Sequence, residues 1–300
     1  MSAGDEGVQR ALPRYLEVLD GRRKARFLEC DSLEEKAEAA SAILGLCNLC
    51  ERRCGSNRAA GERGYCGVLE PRISSEFIHL GEEPEIVPSH TIFLTGCTFK
   101  CVFCQNWDIS QSPGGGTVVH PGRMADIISS SQGVNVNWVG GDPAPSLPYV
   151  LEVLSKVGRS IPQIWNSNMY LSEESMGLLD GVVDVYLTDF KYGNDDCAME
   201  LSDAPRYWSV TTGNHILARD QAELVIRHLV MPGHLECCTK PVLHWIGEHL
   251  GDTVRVNVMA QYRPEYLASR HPQICRPLKR EEHELAVECA LDEGLNLCRR

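Results

Sequence analysis

Six short apolar runs, each ending in a polar or glycine-containing turn, recur along the chain from residue 91 onward. They are TIFLTG (91–96), VNVNWVGG (134–141), PQIWNSN (162–168), VVDVYLTDF (182–190), LVIRHLVMPG (224–233) and TVRVNVMAQY (253–262). Longer stretches with apolar residues at helical spacing separate them, such as SLPYVLEVLSKVG and TKPVLHWIGEHLG, and REEHELAVECALDEG follows the last. Alternating strands and helices are typical of parallel sheets. The pattern predicts an α/β fold, a partial (β/α)6 TIM-like barrel.

Two segments of different composition precede this region. Residues 1–45 are charged and alanine-rich, and Ser32 followed by Glu35 predicts the start of a helix. Residues 46–70 are rich in Cys, Arg and Gly, with too few apolar residues for a core, so we expect bound metal to order them. The predicted organisation is a helical N-terminal lead-in (1–45), a four-cysteine metal-binding segment (46–70) and the barrel (90–300).

Polar residues recur on one face of several predicted strands, near their carboxyl ends. Period-two alternation places on common faces the pairs Asn166 and Asn168, Asp189 and Lys191, and Arg255 and Asn257. Buried polar side chains are costly unless they line a site, and α/β barrels carry their active sites at the carboxyl ends of the strands. The sequence therefore predicts a polar site at that end.

Composition limits the classes of function. The 300 residues carry a formal net charge of -12, which argues against binding to nucleic acid, because that affinity depends on neutralising phosphates with Lys and Arg. No apolar stretch is long enough for a bilayer span or a signal peptide, so we expect a cytoplasmic protein without a membrane partner. In that compartment the 14 cysteines are expected to be thiols or metal ligands rather than disulfides.

Three cysteines directly follow the first predicted strand. Cys97, Cys101 and Cys104 read C-x3-C-x2-C in GCTFKCVFCQN. A closed tetrahedral zinc site or an ordinary cubane cluster needs four ligands. Three thiolates can hold three corners of a [4Fe-4S] cluster and leave the fourth iron open for chemistry. The alternative is a structural zinc site.

This motif after the first strand of a (β/α)6 pattern resembles the radical S-adenosylmethionine (SAM) superfamily. The resemblance implies that the open iron binds SAM and that one electron cleaves it to a 5'-deoxyadenosyl radical, which abstracts hydrogen. GGDP resembles the GGEP segment of the family. TDFK resembles the D-x-K motif that the family carries on the fourth strand, and IRHLVMPG resembles the segment of the fifth strand that carries a basic residue. The cofactor-binding residues implied by the resemblance are Phe103, Gly140, Gly141, Asp142, Asn168, Asp189, Lys191 and Arg227.

More narrowly, roughly residues 45 to 295 resemble the pyruvate formate-lyase-activating-enzyme-related (PflX-like) radical SAM proteins. The segments that carry this likeness are LCNLCERRCGSNRAAGERGYCG, FLTGCTFKCVFCQNWDISQ, LLDGVVDVYLTDFKY, LVIRHLVMPGHLE and VNVMAQYRPEY. It implies an oxidoreductase that takes electrons from a donor such as flavodoxin or ferredoxin. LGEEPEIVPSHTIF stands where glycyl-radical activases carry G-x-G-x-[RK], so a protein, a peptide or a small molecule remains open as the substrate. An iron-sulfur electron-transfer or scaffold protein is the alternative function.

The four-cysteine segment carries a second candidate metal site. Cys47, Cys50, Cys54 and Cys66 supply four thiols, enough for a closed site, and thiolate-only sites accept either zinc or an auxiliary iron-sulfur cluster. A zinc ribbon that binds nucleic acid would need a second knuckle and a basic domain.

The other seven cysteines show no ligand spacing. The pair Cys237 and Cys238 follows the fifth strand and could lie near the site. His228 and His234 flank LVMPG and are expected to be packing residues.

Overall fold

The computed structural model describes residues 6–298, and its centre is one eight-stranded sheet. The strands are β1 (Ile73–His79), β2 (Ser89–Leu94), β3 (Asn135–Gly140), β4 (Gln163–Ser167), β5 (Val185–Asp189), β6 (Glu223–Leu229), β7 (Arg255–Met259) and β8 (Asn296–Leu297). Their order in the sheet is their order in the chain. β1 pairs with β2 antiparallel, and every later pair is parallel. The fold is therefore a mixed α/β fold.

Helices precede, separate and follow the strands. They are α1 (Glu6–Ala11), α2 (Pro13–Leu19), α3 (Leu33–Ile43), α4 (Trp107–Ser110), α5 (Pro121–Ser129), α6 (Leu147–Leu154), α7 (Glu173–Leu179), α8 (Asp195–Ser202), α9 (Tyr207–Gln221), α10 (Lys240–His249) and α11 (Arg280–Asp292). Ser32 occupies the N-cap position of α3, as expected, although its side chain makes no capping hydrogen bond. Ser172 and Asn194 do cap α7 and α8 through their side-chain oxygens.

The six strands predicted from the apolar runs are β2 to β7. Each lies within its predicted run or begins no more than two residues before it. Two strands were not predicted. β1 exposes five of its seven residues, so it lacks the apolar alternation that identifies a strand. β8 has only two residues.

Large apolar side chains on one face of the sheet form the main core with the helices. Trp138 on β3 and Trp165 on β4 are buried and lie opposite each other in the parallel register. The Trp138 indole N–H donates to Gln163 Oε1 at 2.8 Å, so its polar atom is satisfied inside the core. Burying one such side chain stabilises the fold by roughly 1.5–3 kcal/mol.

The opposite face is covered at its amino-terminal end by the chain's own N-terminal helices. Leu12, Tyr15 and Ile86 are fully buried there against Val185 and Leu187 of β5. Because Asp189 follows on the same face of β5, the carboxyl end of this face is where polar side chains lie. Within residues 6–298, no helix has the length and apolar character needed to cross a bilayer.

Candidate functional site

The three-cysteine loop begins directly after β2. Cys97 and Cys101 are buried and Cys104 is partly buried. Polar groups surround each sulfur: the Phe99 N–H is 3.4 Å from Cys97 Sγ and the Ser202 hydroxyl is 2.9 Å from Cys101 Sγ. Ser110 Oγ lies 3.1 Å from Cys104 Sγ. Burial raises the pKa of Cys97 and Cys101, and the bonds from Phe99 and Ser202 act in the opposite direction, toward the thiolate form that binds metal.

Helix α8 supports the loop from one side. The Lys100 N–H donates to Ser202 O at 3.0 Å, and the Val102 N–H donates to Leu201 O at 2.9 Å. Phe99 is buried against the rings of Tyr170 and Tyr207. These contacts hold the loop against α8 and against the two tyrosine rings.

The glycine pair after β3 lets two loops approach closely. A Cβ at Gly140 would lie 2.0 Å from Leu94 O, and one at Gly141 would lie 2.0 Å from Gly96 O. Gly140 also has φ +130°, a conformation that side chains rarely adopt. Both positions therefore require glycine, and the GGDP turn packs on the start of the three-cysteine loop.

Asp142 and Asn168 join this turn to the end of β4. The buried Asp142 carboxylate accepts hydrogen bonds from the N–H groups of Ala144 and Asn168 and from the Ser167 hydroxyl, at 2.9 to 3.0 Å. Burial nevertheless raises the pKa of Asp142 to about 6. The Asn168 amide nitrogen lies 2.9 Å from Thr98 Oγ1 and 3.8 Å from Cys97 Sγ. The Asn168 side chain therefore orders the loop that carries Cys97, and the Asp142 carboxylate holds the backbone of Asn168 in place.

An ionic network lies at the carboxyl ends of β5 and β6. Asp189 Oδ2 is 2.6 Å from Lys191 Nζ, and Asp189 Oδ1 accepts from Arg227 Nε at 2.9 Å. Burial favours the neutral acid, but the two cations outweigh it and lower the pKa of Asp189 to about 2. The carboxylate in turn raises the pKa of Lys191 against the effect of burial. The side chains keep 13 to 29% of their surface exposed, so a ligand can reach them.

Three glutamates between β1 and β2 satisfy cationic and amide groups on the same face of the sheet. Glu82 Oε2 lies 3.2 Å from Arg227 Nη1, and Glu83 accepts from Asn257 Nδ2 at 2.8 Å. Glu85 pairs with Arg255 in a buried ion pair. The sequence alone did not reveal these roles, because the segment LGEEPEIVP contains no Lys or Arg that would indicate partners for its glutamates.

Some buried polar atoms near Arg227 have no protein partner. They are Asn137 Oδ1, Asn166 Nδ2 and Glu83 Oε2. Each unsatisfied group costs about 1–3 kcal/mol unless water or a ligand contacts it. Hydrogen-bond donors and acceptors without a protein partner, next to an ionic network, suit a polar ligand that carries a positive and a negative charge. The amino acid part of SAM is such a group.

The spacing of the sulfurs tests which metal the three cysteines fit. A single metal ion needs three or more ligand atoms close together. Across residues 6–298, one set of His, Cys, Asp or Glu side chains has all its ligand atoms within 4.8 Å of one another. That set does not include Cys97, Cys101 or Cys104. At least one pair of these three sulfurs is therefore more than 4.8 Å apart. Three thiolates on one loop are a donor set that can bind three irons of a [4Fe-4S] cluster.

The four-cysteine segment docks on the back of this loop. Arg52 donates from Nε to Thr98 O at 2.9 Å and also contacts the Asp203 carbonyl. Its guanidinium carbon lies 3.7 Å from the centre of the Tyr65 ring, whose hydroxyl donates to Asp203 at 2.6 Å. The segment therefore touches both the three-cysteine loop and the end of α8.

The thiols of the segment are electrostatic neighbours. Burial raises the pKa of Cys50, and Cys66, Cys47 and Cys54 raise it further. Arg58 Nη1 lies 3.9 Å from Cys47 Sγ. Among the described residues, no three of these sulfurs all lie within 4.8 Å of one another.

Two further sequence expectations concern aromatic and histidine side chains. Phe103 is buried, with its ring 5.7 Å from that of Tyr262. His228 is a packing residue as expected, because its ring nitrogens lie within 2.9 Å of Phe190 O and Thr239 Oγ1. His234 differs, since it lies with Cys197 and Cys237 in the set of close ligand atoms. Local spacing could not reveal this set because its members come from two separate strand–helix connections.

Comparison with known proteins agrees with these features. The Radical SAM superfamily model matches residues 91–246, more than half of the chain. The uncharacterized protein MJ0674 of Methanocaldococcus jannaschii is 50% identical over 279 residues, which cover 90% of this chain and 82% of that protein. A second uncharacterized protein of that organism, MJ0808, is 23% identical over 277 residues, with 83% and 78% covered. The chain belongs to the radical SAM superfamily, whose members are enzymes.

Solved structures resemble the chain more distantly. Streptococcus suis SuiB bound to its precursor peptide SuiA is 14% identical with a TM-score of 0.49, covering 67% of this chain and 46% of that one. Methylornithine synthase is 13% identical with a TM-score of 0.47, covering 94% and 84%.

Proposed function

We propose that this protein is a PflX-like radical SAM oxidoreductase that cleaves SAM reductively and abstracts hydrogen from its substrate. The observation that carries the proposal is the connection between the three-cysteine loop and the ionic network. Ser202 of α8 donates to Cys101 Sγ at 2.9 Å and lies 2.5 Å from the hydroxyl of Tyr192, the residue after Lys191. A cluster on the loop and a ligand on the network would thus be neighbours.

Each part of the site has a role in this proposal. Cys97, Cys101 and Cys104 hold a [4Fe-4S] cluster, and the sheet forms a partial (β/α)6 barrel around the site. When bound, the cluster supplies the electron that cleaves SAM to methionine and a 5'-deoxyadenosyl radical. Arg227 and Lys191 attract the SAM carboxylate, and Asp189 fixes both cations. The turn at Gly140 and Gly141 offers backbone groups to the amino group.

The substrate class follows from the PflX-like resemblance. A protein or peptide backbone is the proposed hydrogen donor, and a small molecule is the alternative. Reduced flavodoxin or ferredoxin would supply the electron, and the cytoplasm would be the compartment.

Anaerobic turnover tests the proposal. Protein reconstituted with iron and sulfide is mixed with SAM and dithionite, and 5'-deoxyadenosine and methionine are quantified by chromatography. The wild type is expected to form both in equal amounts, and Cys97→Ser neither. Cys275→Ser is the matched control because Cys275 is exposed and only its bond to Pro272 O is lost. A wild type that retains iron but forms no 5'-deoxyadenosine would identify an electron carrier or scaffold.

For the four-cysteine segment we propose an auxiliary iron-sulfur cluster rather than zinc. The support is that the four thiols act on one another electrostatically, while among the described residues no three of their sulfurs all lie within 4.8 Å of one another. Iron and zinc are counted on anaerobic wild type, Cys47→Ser and Cys97→Ser. Loss of about four iron atoms in each variant is expected. Loss of zinc alone in Cys47→Ser would exclude the auxiliary cluster.

A further inference from the structure

A third group of metal-ligating side chains lies outside both cysteine motifs. Cys197 on α8, together with His234 and Cys237 after β6, has its ligand atoms within 4.8 Å of one another. The sulfurs of Cys197 and Cys237 are 3.8 Å apart. A tetrahedral zinc ion with bonds of about 2.3 Å to sulfur separates two thiolates by about 3.8 Å. The spacing thus suits one ion and is too short for a cubane.

The histidine is held as metal-binding histidines usually are. His234 is buried, and its Nδ1 lies 2.9 Å from Pro232 O. A backbone carbonyl that accepts from Nδ1–H fixes the tautomer in which Nε2 carries the free lone pair. This bond therefore prepares Nε2 as the third ligand.

The Asn194 side chain and the backbone at Gly193 hold the two ligand-bearing segments together. Asn194 accepts from the N–H of Cys197 at 2.8 Å and donates to Cys237 O at 2.7 Å. A Cβ at Gly193 would lie 2.7 Å from Cys237 O, so this close approach requires glycine. The π-helical turn Leu235–Thr239 directly follows His234 and carries Cys237. The arrangement is preformed, which lowers the entropic cost of binding an ion.

We propose that Cys197, His234 and Cys237 form a zinc site that joins α8 to the connection after β6. Two thiolates and one imidazole are a ligand set typical of zinc, and the fourth position is left for water because Cys237 is exposed. Cys238 Sγ lies 3.9 Å from Cys237 Sγ but outside the close set. The inference does not rest on SAM cleavage, since it concerns other residues and another metal.

Zinc counting on the full chain tests the site. Wild type, Cys197→Ser, Cys237→Ser and His234→Ala are purified anaerobically with equal zinc exposure, and metals are measured by mass spectrometry. Each variant is expected to lose one zinc per chain and to keep its iron. Cys275→Ser and His244→Ala are the controls, and both should keep the wild-type zinc content.

Cobalt substitution provides a second readout, whose first measurement needs only the wild type. Co²⁺ added to wild type that holds its clusters should produce a thiolate-to-metal charge-transfer band in the difference spectrum. The band should weaken by about half in Cys237→Ser, since one of two thiolates is lost. Unchanged zinc in both cysteine variants, or an anaerobic Cys197–Cys237 disulfide found by peptide mapping, would overturn the proposal.

Discussion

Asp189 and Arg227 lie opposite each other in register on the parallel strands β5 and β6, and the carboxylate accepts from the guanidinium at 2.9 Å. The same carboxylate pairs with Lys191, so one anion orders two cations at the carboxyl edge of the sheet. Without Asp189, the two cations would repel each other, and each would lose a carboxylate partner.

Asp189→Asn should therefore weaken SAM binding while leaving the cluster in place. We expect the dissociation constant to rise about tenfold, equivalent to about 1.4 kcal/mol. The free energy of unfolding should fall by about 2 kcal/mol. This loss is smaller than that expected on breaking a fully buried ion pair, because the Asp189 side chain is 29% exposed. Equilibrium dialysis with labelled SAM and iron analysis measure the first effect, and denaturant titration the second.

Asp220→Asn is the matched control, since Asp220 is exposed and pairs only with its neighbour Arg219 among the ion pairs of the described region. An unchanged SAM affinity in Asp189→Asn would show that the network serves the fold and not the ligand.

Ser202→Ala should alter the reduction potential of the cluster. It removes the hydroxyl that lies 2.9 Å from Cys101 Sγ, and hydrogen bonds to cysteine sulfur stabilise the reduced, more negative cluster. If the reduced cluster loses about 1 kcal/mol of stabilisation, the reduction potential for one electron should become more negative by on the order of 40 mV. Redox titration followed by electron paramagnetic resonance measures it.

The control for Ser202→Ala is Ser209→Ala, whose hydroxyl contacts only the Arg206 carbonyl within the described chain. Equal potentials in the two variants would contradict the role assigned to Ser202.

Gly141→Ala should destabilise the protein strongly. Its Cβ would meet Gly96 O at 2.0 Å, and both partners are backbone, so neither can move without shifting the three-cysteine loop. We expect a loss of about 3 kcal/mol or more in the free energy of unfolding, with reduced iron incorporation. Gly177→Ala is the control: it lies inside α7 with nothing within 4 Å, and alanine should stabilise that helix by roughly 0.5–1 kcal/mol. Equal stability of the two variants would refute the close approach.

Asp184 should make stability depend on pH. Burial raises its pKa to about 6, although it accepts from the N–H groups of Gln163 and Arg26. Because the folded state holds the proton more tightly than the unfolded state, this stabilising contribution is complete below the ordinary pKa near 4 and is lost as pH rises through 6.

Between about pH 5 and pH 7.5, the free energy of unfolding of the wild type should therefore fall by on the order of 1 kcal/mol relative to that of Asp184→Asn. Denaturant titration at each pH measures the difference, and Asp126→Asn on the exposed side of α5 should track wild type. A constant difference between wild type and Asp184→Asn would exclude a raised pKa.

The sequence predicted the parts of this molecule that local patterns encode. Each parallel strand is a short apolar run before a turn, and Cys97, Cys101 and Cys104 lie within eight residues, so their spacing marked them as candidate metal ligands. Period-two alternation placed Asp189 and Lys191 on one face, and the structure pairs these two side chains at the end of β5.

Pairings between distant segments could not be read in this way. Glu82 and Arg227 are 145 residues apart, and no local pattern connects them. Cys197 and Cys237 are 40 residues apart and come together only because consecutive parallel strands place their following loops side by side. The sequence contains all of these residues, but only the sheet register determines which of them meet.

The contact of Arg52 with Thr98 bears on how far this protein could be shortened. Deleting residues 46–70 would remove Arg52 and with it the bond that Arg52 donates to Thr98 O in the loop carrying Cys97. A minimal version of the protein must therefore retain this segment as a support for that loop.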